Sequence, residues 1–429
     1  MAAALRPLRL PGFANLALAY FVNELGNWLG EIALAVLVFD ATGSPLATAA
    51  LFCAMHFAPV FISPGLVARV DQMPTRVILP ALYAGEGAMF ALLALLANDF
   101  SFPAVLVLAI VDGSLASSSR ALTRASAGAV LAPAKALREG NALLNVAFTV
   151  GSAGGPALGG IIVASAGVGT ALAADAVSFL LVARVLLAAR RLPKPEEDPE
   201  ATGWRERLRL GLAYVGSRPA LRRLLGAQAL AFIFFSLVIP IEVVFAKETL
   251  DAGDSGYGAL LSSWGVGMVI GSLIFAWLRQ VSLPLLLFTS TLAIGVAYLG
   301  TSVAPNLVVA CAASVVGGIG NGVQWIALVT AVQELTRATY QARVLSLLEA
   351  TASAMPGIGF LLGGSIAAIF EPRASYAVAG AGVVIVLFLA TRALRRVEWM
   401  PELEQTDRRE DDASSVAGER ASRMVLTDS

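Results

Sequence analysis

The residues best suited to chemistry in this chain are acids in places where acids are costly. In the stretch Tyr20 to Phe39, YFVNELGNWLGEIALAVLVF, Glu24 and Glu31 interrupt an otherwise apolar run. Seven residues on a helix return to within about 20° of the same face and rise roughly 10 Å. The two carboxylates therefore share a stripe, with Asn27 and Trp28 on or beside it. His56, Glu86 and Asp112 stand near mid-depth of three further apolar runs. An acid at the centre of a bilayer costs about 2.5 to 3.5 kcal/mol on insertion scales, which argues against idle placement. Desolvation favours the neutral form of a carboxylate, so one whose surroundings alternate between wet and dry takes up and releases a proton. Glu24, Glu31, Asp112, Glu86 and His56 are thus candidates for proton coupling, against the plainer reading of hydrogen bonds between packed helices. Arg120 and Arg124 are expected nearer the inner boundary, leaving the acids without a cation. Asp175, close to an outer helix end, reads as structural.

This reading requires a membrane, and composition supplies one. The chain is 57% hydrophobic and 14% charged, with a mean hydropathy of +0.77, whereas soluble domains carry roughly 25% charged residues. Twelve apolar runs are long enough to cross a bilayer core, which takes about 20 residues. They begin near Phe13, Leu46, Val77, Phe102, Asn141, Thr170, Leu224, Tyr257, Leu283, Leu307, Leu345 and Tyr376. None alternates with a period of two, so the expected class is an all-α membrane protein of twelve transmembrane helices.

Of the 30 Lys plus Arg residues, only Lys247 and Arg373 fall in the loops of one side. By the positive-inside rule both termini are cytoplasmic, and a multi-pass protein of a bacterial cytoplasmic (inner) membrane is expected. The charged stretch between runs six and seven divides the chain into an N-terminal six-helix half at 1–189, a linker at 190–223 and a C-terminal half at 224–394. Within the linker, Trp204 to Tyr214 alternates apolar and basic residues as an amphipathic helix on inner headgroups would; residues 395–429 read as a disordered cytoplasmic tail. Cys53 and Cys311 lie inside separate runs and suggest no disulfide. His56 is the sole histidine, which excludes a His-rich metal site. No Gly-rich phosphate loop followed by Lys and no nucleophile with a positioned base is present, so an enzyme is not expected. Nor is any cofactor, metal or nucleic-acid partner.

The two halves share a Gly-Gly pair followed by a short outer loop and another apolar run, in AGGPALGGIIVASAGVGTALAADA and GIGFLLGGSIAAIFEPRASYAVAG. Six plus six helices with faint internal symmetry mark secondary transporters that rock two halves about a central site. The stretches GNWLGEIALAVLVFDATGSPLA, SPGLVARVDQMPTRVIL, NALLNVAFTVGSAGGPALGG, DAVSFLLVA and GYGALLSSWGVG carry a more specific likeness. On them the chain resembles the major facilitator superfamily over nearly its whole membrane region, and within it bacterial exporters of the enterobactin exporter and transmembrane secretion effector type.

The resemblance implies a cytoplasmic latch between helices two and three, in which Asp71 and Arg76 hold the matching places and Arg343, near the start of run eleven, is the expected partner. Val67 and Gln72 depart from the family pattern there. It also implies that Gly151 to Gly160, with Gly155, Pro156 and Gly159, form an export-type motif, which they match residue for residue. Independently, glycines four apart share a helix face and admit a close neighbour. Asn27 occupies a place where relatives carry an acid. Trp28, Asn321, Gln324 and Trp325 are candidates to line the substrate cavity. The function expected is export of a small lipophilic or cationic molecule by proton antiport and alternating access, by a monomer in contact with membrane lipid. A siderophore exporter, a proton-coupled importer and a lysolipid flippase share the fold and stay open.

Overall fold

The computed structural model describes residues 6–70, 73–188, 204–278, 280–336 and 338–394. A bilayer core offers the backbone no hydrogen-bonding partner, so each crossing segment must satisfy its own amides, and only the helix does so within one segment. Among the described residues twelve helices are long and apolar enough to cross: Phe13–Thr42, Pro45–Ser63, Thr75–Leu96, Phe102–Leu131, Glu139–Ala166, Val168–Ala188, Pro219–Thr249, Gly253–Phe275, Leu283–Ser302, Leu307–Glu334, Leu347–Ile369 and Pro372–Ala393. We number them spans one to twelve. An even count puts both termini at one end of the bundle, the terminal end; the other is the distal end. A further helix, Trp204–Ser217, occupies the expected amphipathic stretch. The proposed tail at 395–429 and the linker at 190–203 lie outside the described residues.

The turns follow from residue type. Span one ends on Gly43, whose φ of 58° lets its amide close on the Phe39 carbonyl at 2.7 Å. Ser44 then caps span two by accepting from the Ala47 amide at 3.3 Å, and Pro45 occupies the first turn, where a missing N–H costs nothing. Span seven is discontinuous. It runs as an α-helix over Pro219–Ser236, tightens to 3-10 at Ile239–Ile241 around Pro240, and widens to a π turn at Phe245–Thr249. Span two carries a second π turn, Cys53–Phe57.

The first six and last six spans meet through small residues, at the distal end. Span five presents Gly160 to Gly258 of span eight, where an added Cβ would lie 2.9 Å from the Gly258 Cα. Gly364 of span eleven likewise faces Pro45 and Leu46 of span two. On its other face, span five seats Gly151, Gly155 and Gly159 against Glu24, Trp28 and Leu29 of span one. The apolar core is continuous across both sets here, through Ile32, Phe52, Val244, Tyr257 and Phe360. Toward the terminal end the last six spans hold a separate cluster around Leu221, Leu328 and Leu348.

A side chain at Gly160 is expected to wedge spans five and eight apart, at about the 1–3 kcal/mol of an overpacked core. Gly160→Val should lower the temperature at which the partly buried Cys53 and Cys311 become fully reactive toward a thiol-specific fluorophore. Gly154→Ala, with nothing within 4 Å of the new methyl, should leave it unchanged.

Candidate functional site

Span one is the axis of the site, because it is held between span five on one face and spans four and six on others. Glu24 is almost wholly buried, and its Oε1 lies 3.2 Å from Nε of Arg120. The expectation of an acid without a cation is corrected here. The fourth span continues to Leu131 rather than ending near Ser119. Arg120 therefore stands 11 residues from the terminal end of its helix, as Glu24 does from that of span one, and the two meet at one depth. Arg124, one turn below, donates from Nη2 to the Tyr20 hydroxyl at 2.5 Å and covers its ring at 5.2 Å.

Glu31 is also buried, and its Oε2 lies 3.2 Å from Nε2 of His56, on the π turn of span two. The imidazole is 41% exposed and meets the ring of Phe52 edge-on at 5.8 Å and that of Phe360, from span eleven, at 6.1 Å. This pair thus sits on the seam between the two sets of spans. π turns recur at functional sites because they displace a side chain from the helical register.

The remaining acids are less well provided. Glu86 is fully buried with neither oxygen in a hydrogen bond, beside the Ser119 hydroxyl. Asp112 is buried, and its Oδ1 has no partner. Asp175 takes a hydrogen bond from Ser178 at 3.2 Å and fills a notch in span one, where a Cβ at Gly26 or Gly30 would collide with its carboxylate. That fit accounts for the glycines of the GNWLGE stretch.

Of the cavity candidates, Asn27 donates to Asn23 at 2.9 Å, and the Trp28 Cβ rests against Gly155. Gln324 donates to Gln228 of span seven at 3.1 Å, while Trp325 lies against Phe232. Asn321 is half-buried, one turn from Gln324. For the latch, Asp71 and the side chain of Arg343 lie outside the described residues; Arg76 is exposed at the start of span three.

Glu242, and the partners of the charges at the two ends, went unread in the sequence. Glu242 sits at the break of span seven, where the chain packs on span one, and its Oε2 is buried without a partner. Glu31, Tyr257, Tyr298 and Tyr376 surround it within electrostatic reach. At the distal end Lys247 bridges Asp40 of span one at 2.5 Å and Asp254 of span eight at 2.7 Å, joining the two sets. Arg373, the other basic residue there, caps span nine through the carbonyls of Ser302 and Ala304, both at 2.8 Å. At the terminal end the exposed Glu349 of span eleven lies within electrostatic reach of Arg124 of span four, without an ion pair between them. Among the described residues no cluster of His, Cys, Asp or Glu could hold a metal ion.

Two sets of six membrane-spanning helices, joined through small residues and an ion-pair clamp at one end around a seam that carries carboxylates, have the architecture of a transporter of the major facilitator fold. The chain belongs to the transmembrane secretion effector family of that superfamily, whose pattern matches residues 2–425. Solved structures share the fold at low identity. The nucleoside transporter NupG has 13% identity and a TM-score of 0.68, covering 89% of this chain and 98% of its own. A bacterial homolog of the human lysosomal transporter Spinster, inward-facing and unoccupied, has 16% identity and a TM-score of 0.66, covering 91% and 98%. A POT family transporter in complex with a thioalcohol-conjugated peptide has 12% identity and a TM-score of 0.69, covering 90% and 96%. No curated protein sequence matches significantly. Family and structural neighbours are transporters, not enzymes.

Removing one partner of the Glu24–Arg120 pair leaves a buried charge uncompensated. Glu24→Gln and Arg120→Gln should each destabilise by about 1–3 kcal/mol, less than a fully enclosed pair because Arg120 is 43% exposed. The double variant should be more stable than the sum of the two predicts; additive losses in a thermal double-mutant cycle would refute the coupling.

Proposed function

We propose that the chain exports a small lipophilic or cationic molecule across a bacterial cytoplasmic membrane, exchanging it for protons by alternating access. In this reading both termini are cytoplasmic, 1–189 and 224–394 are the two moving halves, and the conformation described is inward-open. The observation that carries it is the Glu31–His56 pair on the seam. Arg120 offsets the charge of Glu24, but Glu31 faces an imidazole that is cationic only when protonated, with the unpartnered Glu242 nearby.

Such a pair responds to solvent. When the seam is wet, the carboxylate can ionise and attract a cation; when it closes, the cation leaves or a proton replaces it. Of the candidate acids, Glu31 is the coupling residue in this reading, with Glu24 holding Arg120 and span four in place. The basic residues confined to the terminal end support the orientation, since the two distal exceptions have structural partners. The glycine motif of span five supports export, because the close approach it permits seals the distal side.

Efflux-deficient bacteria expressing the protein should accumulate less of a fluorescent lipophilic cation than empty cells. A protonophore and Glu31→Gln, at matched expression, should each restore accumulation. An unchanged Glu31→Gln variant would remove Glu31 from coupling, and no difference between wild-type and empty cells would remove lipophilic cations as the substrate class.

A further inference from the structure

The carboxylates of span one are not the groups that a molecule beside it meets first. The side chains of Glu24 and Glu31 are 2% and 11% exposed, whereas those of their partners Arg120 and His56 are 43% and 41% exposed. The acids are set back, and a guanidinium and an imidazole stand in front of them.

The direction in which Arg120 is open follows from the helix that carries it. Val107 and Ala125 of span four are exposed and apolar, and their spacing of 18 residues stacks them on one face, the outer one. Arg120 stands about 140° round the helix from that face and Arg124 about 100°. The groups within electrostatic reach of Arg120 are Tyr20, Glu24 and Glu31 of span one, His56 of span two, and Tyr83 and Glu86 of span three. Arg124, one turn toward the terminal end, is within reach of Glu349 of span eleven. The open side of Arg120 therefore faces the seam between the two sets of spans and not hydrocarbon, where a guanidinium would be costly.

That guanidinium is also only partly used. Its Nε lies 3.2 Å from Glu24, and among the described residues no acceptor takes a hydrogen bond from Nη1 or Nη2. Those nitrogens form an edge of the planar fork that pairs with a carboxylate through two parallel bonds. Glu31 and His56 lie seven residues along span one from the level of Glu24 and Arg120, about 10 Å toward the distal end.

We propose that Arg120 holds a carboxylate of the transported molecule, so that the substrate is a zwitterion whose cationic end lies about 10 Å away beside Glu31. This rests on the transport reading and narrows its substrate class. A cation without the carboxylate gains nothing from Arg120, whereas a zwitterion satisfies both ends of the stripe. Glu24 positions the guanidinium from behind and, by neutralising part of its charge, keeps the carboxylate releasable.

The test uses two dyes that differ in this group alone, tetramethylrhodamine with its free carboxylate and the methyl ester of the same dye. Binding to the full chain, purified in detergent, is followed by fluorescence anisotropy. The free acid should bind more tightly than the ester by about tenfold, as one charge-assisted pair provides. Glu24→Gln, which leaves Arg120 uncompensated, should widen that preference. Glu24→Gln with Arg120→Gln, in which no member of the pair is left charged, should abolish it, and Arg120→Lys should keep part of it; melting temperatures verify that each variant folds. An ester bound as tightly as the acid by the wild type, or a preference that survives in the folded double variant, would overturn the carboxylate site while leaving export of lipophilic cations standing. Binding of the acid alone would support the site and remove simple lipophilic cations as substrates; binding of neither dye would overturn both.

Discussion

The structure depends on how closely span five can approach two helices at once. Within a bilayer there is no hydrophobic gain in burying one apolar helix against another, so association rests on dispersion contacts and on the few polar groups that find partners. Contacts of that kind are short-ranged and need small residues. Gly151, Gly155 and Gly159 bring span one to one face, and Gly160 brings span eight to another. A single helix thereby fixes the axis of the site and seals the distal end.

The chemistry of the seam follows from that placement. Span one, gripped by span five and notched at Gly26 and Gly30 for Asp175, cannot rotate its carboxylates toward lipid. Glu24 is held toward Arg120, while Glu31 is held toward His56 and the break in span seven. The two acids share a helix stripe but not an environment. One has a permanent cation, which suits a structural charge; the other has a conditional one, which suits a switch. The clamp of Lys247 between Asp40 and Asp254 closes the same side electrostatically, while at the opposite end Arg124 is engaged by Tyr20 and only within electrostatic reach of Glu349.

Much of this was legible in the sequence. Every one of the twelve spans lies where the apolar runs placed it, because twenty-residue hydrophobicity is a strong signal with no competing explanation. The family followed from the motifs of spans one, two and five. What was hidden was depth and reach. The apolar run of span four fades near Ser119, because serines and arginines dilute its hydropathy beyond that point, yet the helix continues to Leu131. That difference moves Arg120 from the boundary to the depth of Glu24 and supplies the missing partner. Glu242 carried the same signal as Glu24, an acid inside an apolar run, with Pro240 beside it to mark a broken helix. Gln324 adds a second case: a polar residue at suitable depth whose partner, Gln228 of span seven, no pattern in its own run names. No spacing rule distinguishes those outcomes, since they depend on which helix stands opposite.

For such a transporter to work, the halves must close at one end as they open at the other. A pair of spin-label distances in reconstituted protein reads this without intermediaries, one across the distal end at positions 42 and 251, one across the terminal end at 132 and 334, recorded with and without an imposed proton gradient. Reciprocal change is expected, the distal pair lengthening in those molecules where the terminal pair shortens. Distances that rise and fall together, or a terminal gap that never closes, would rule alternating access out.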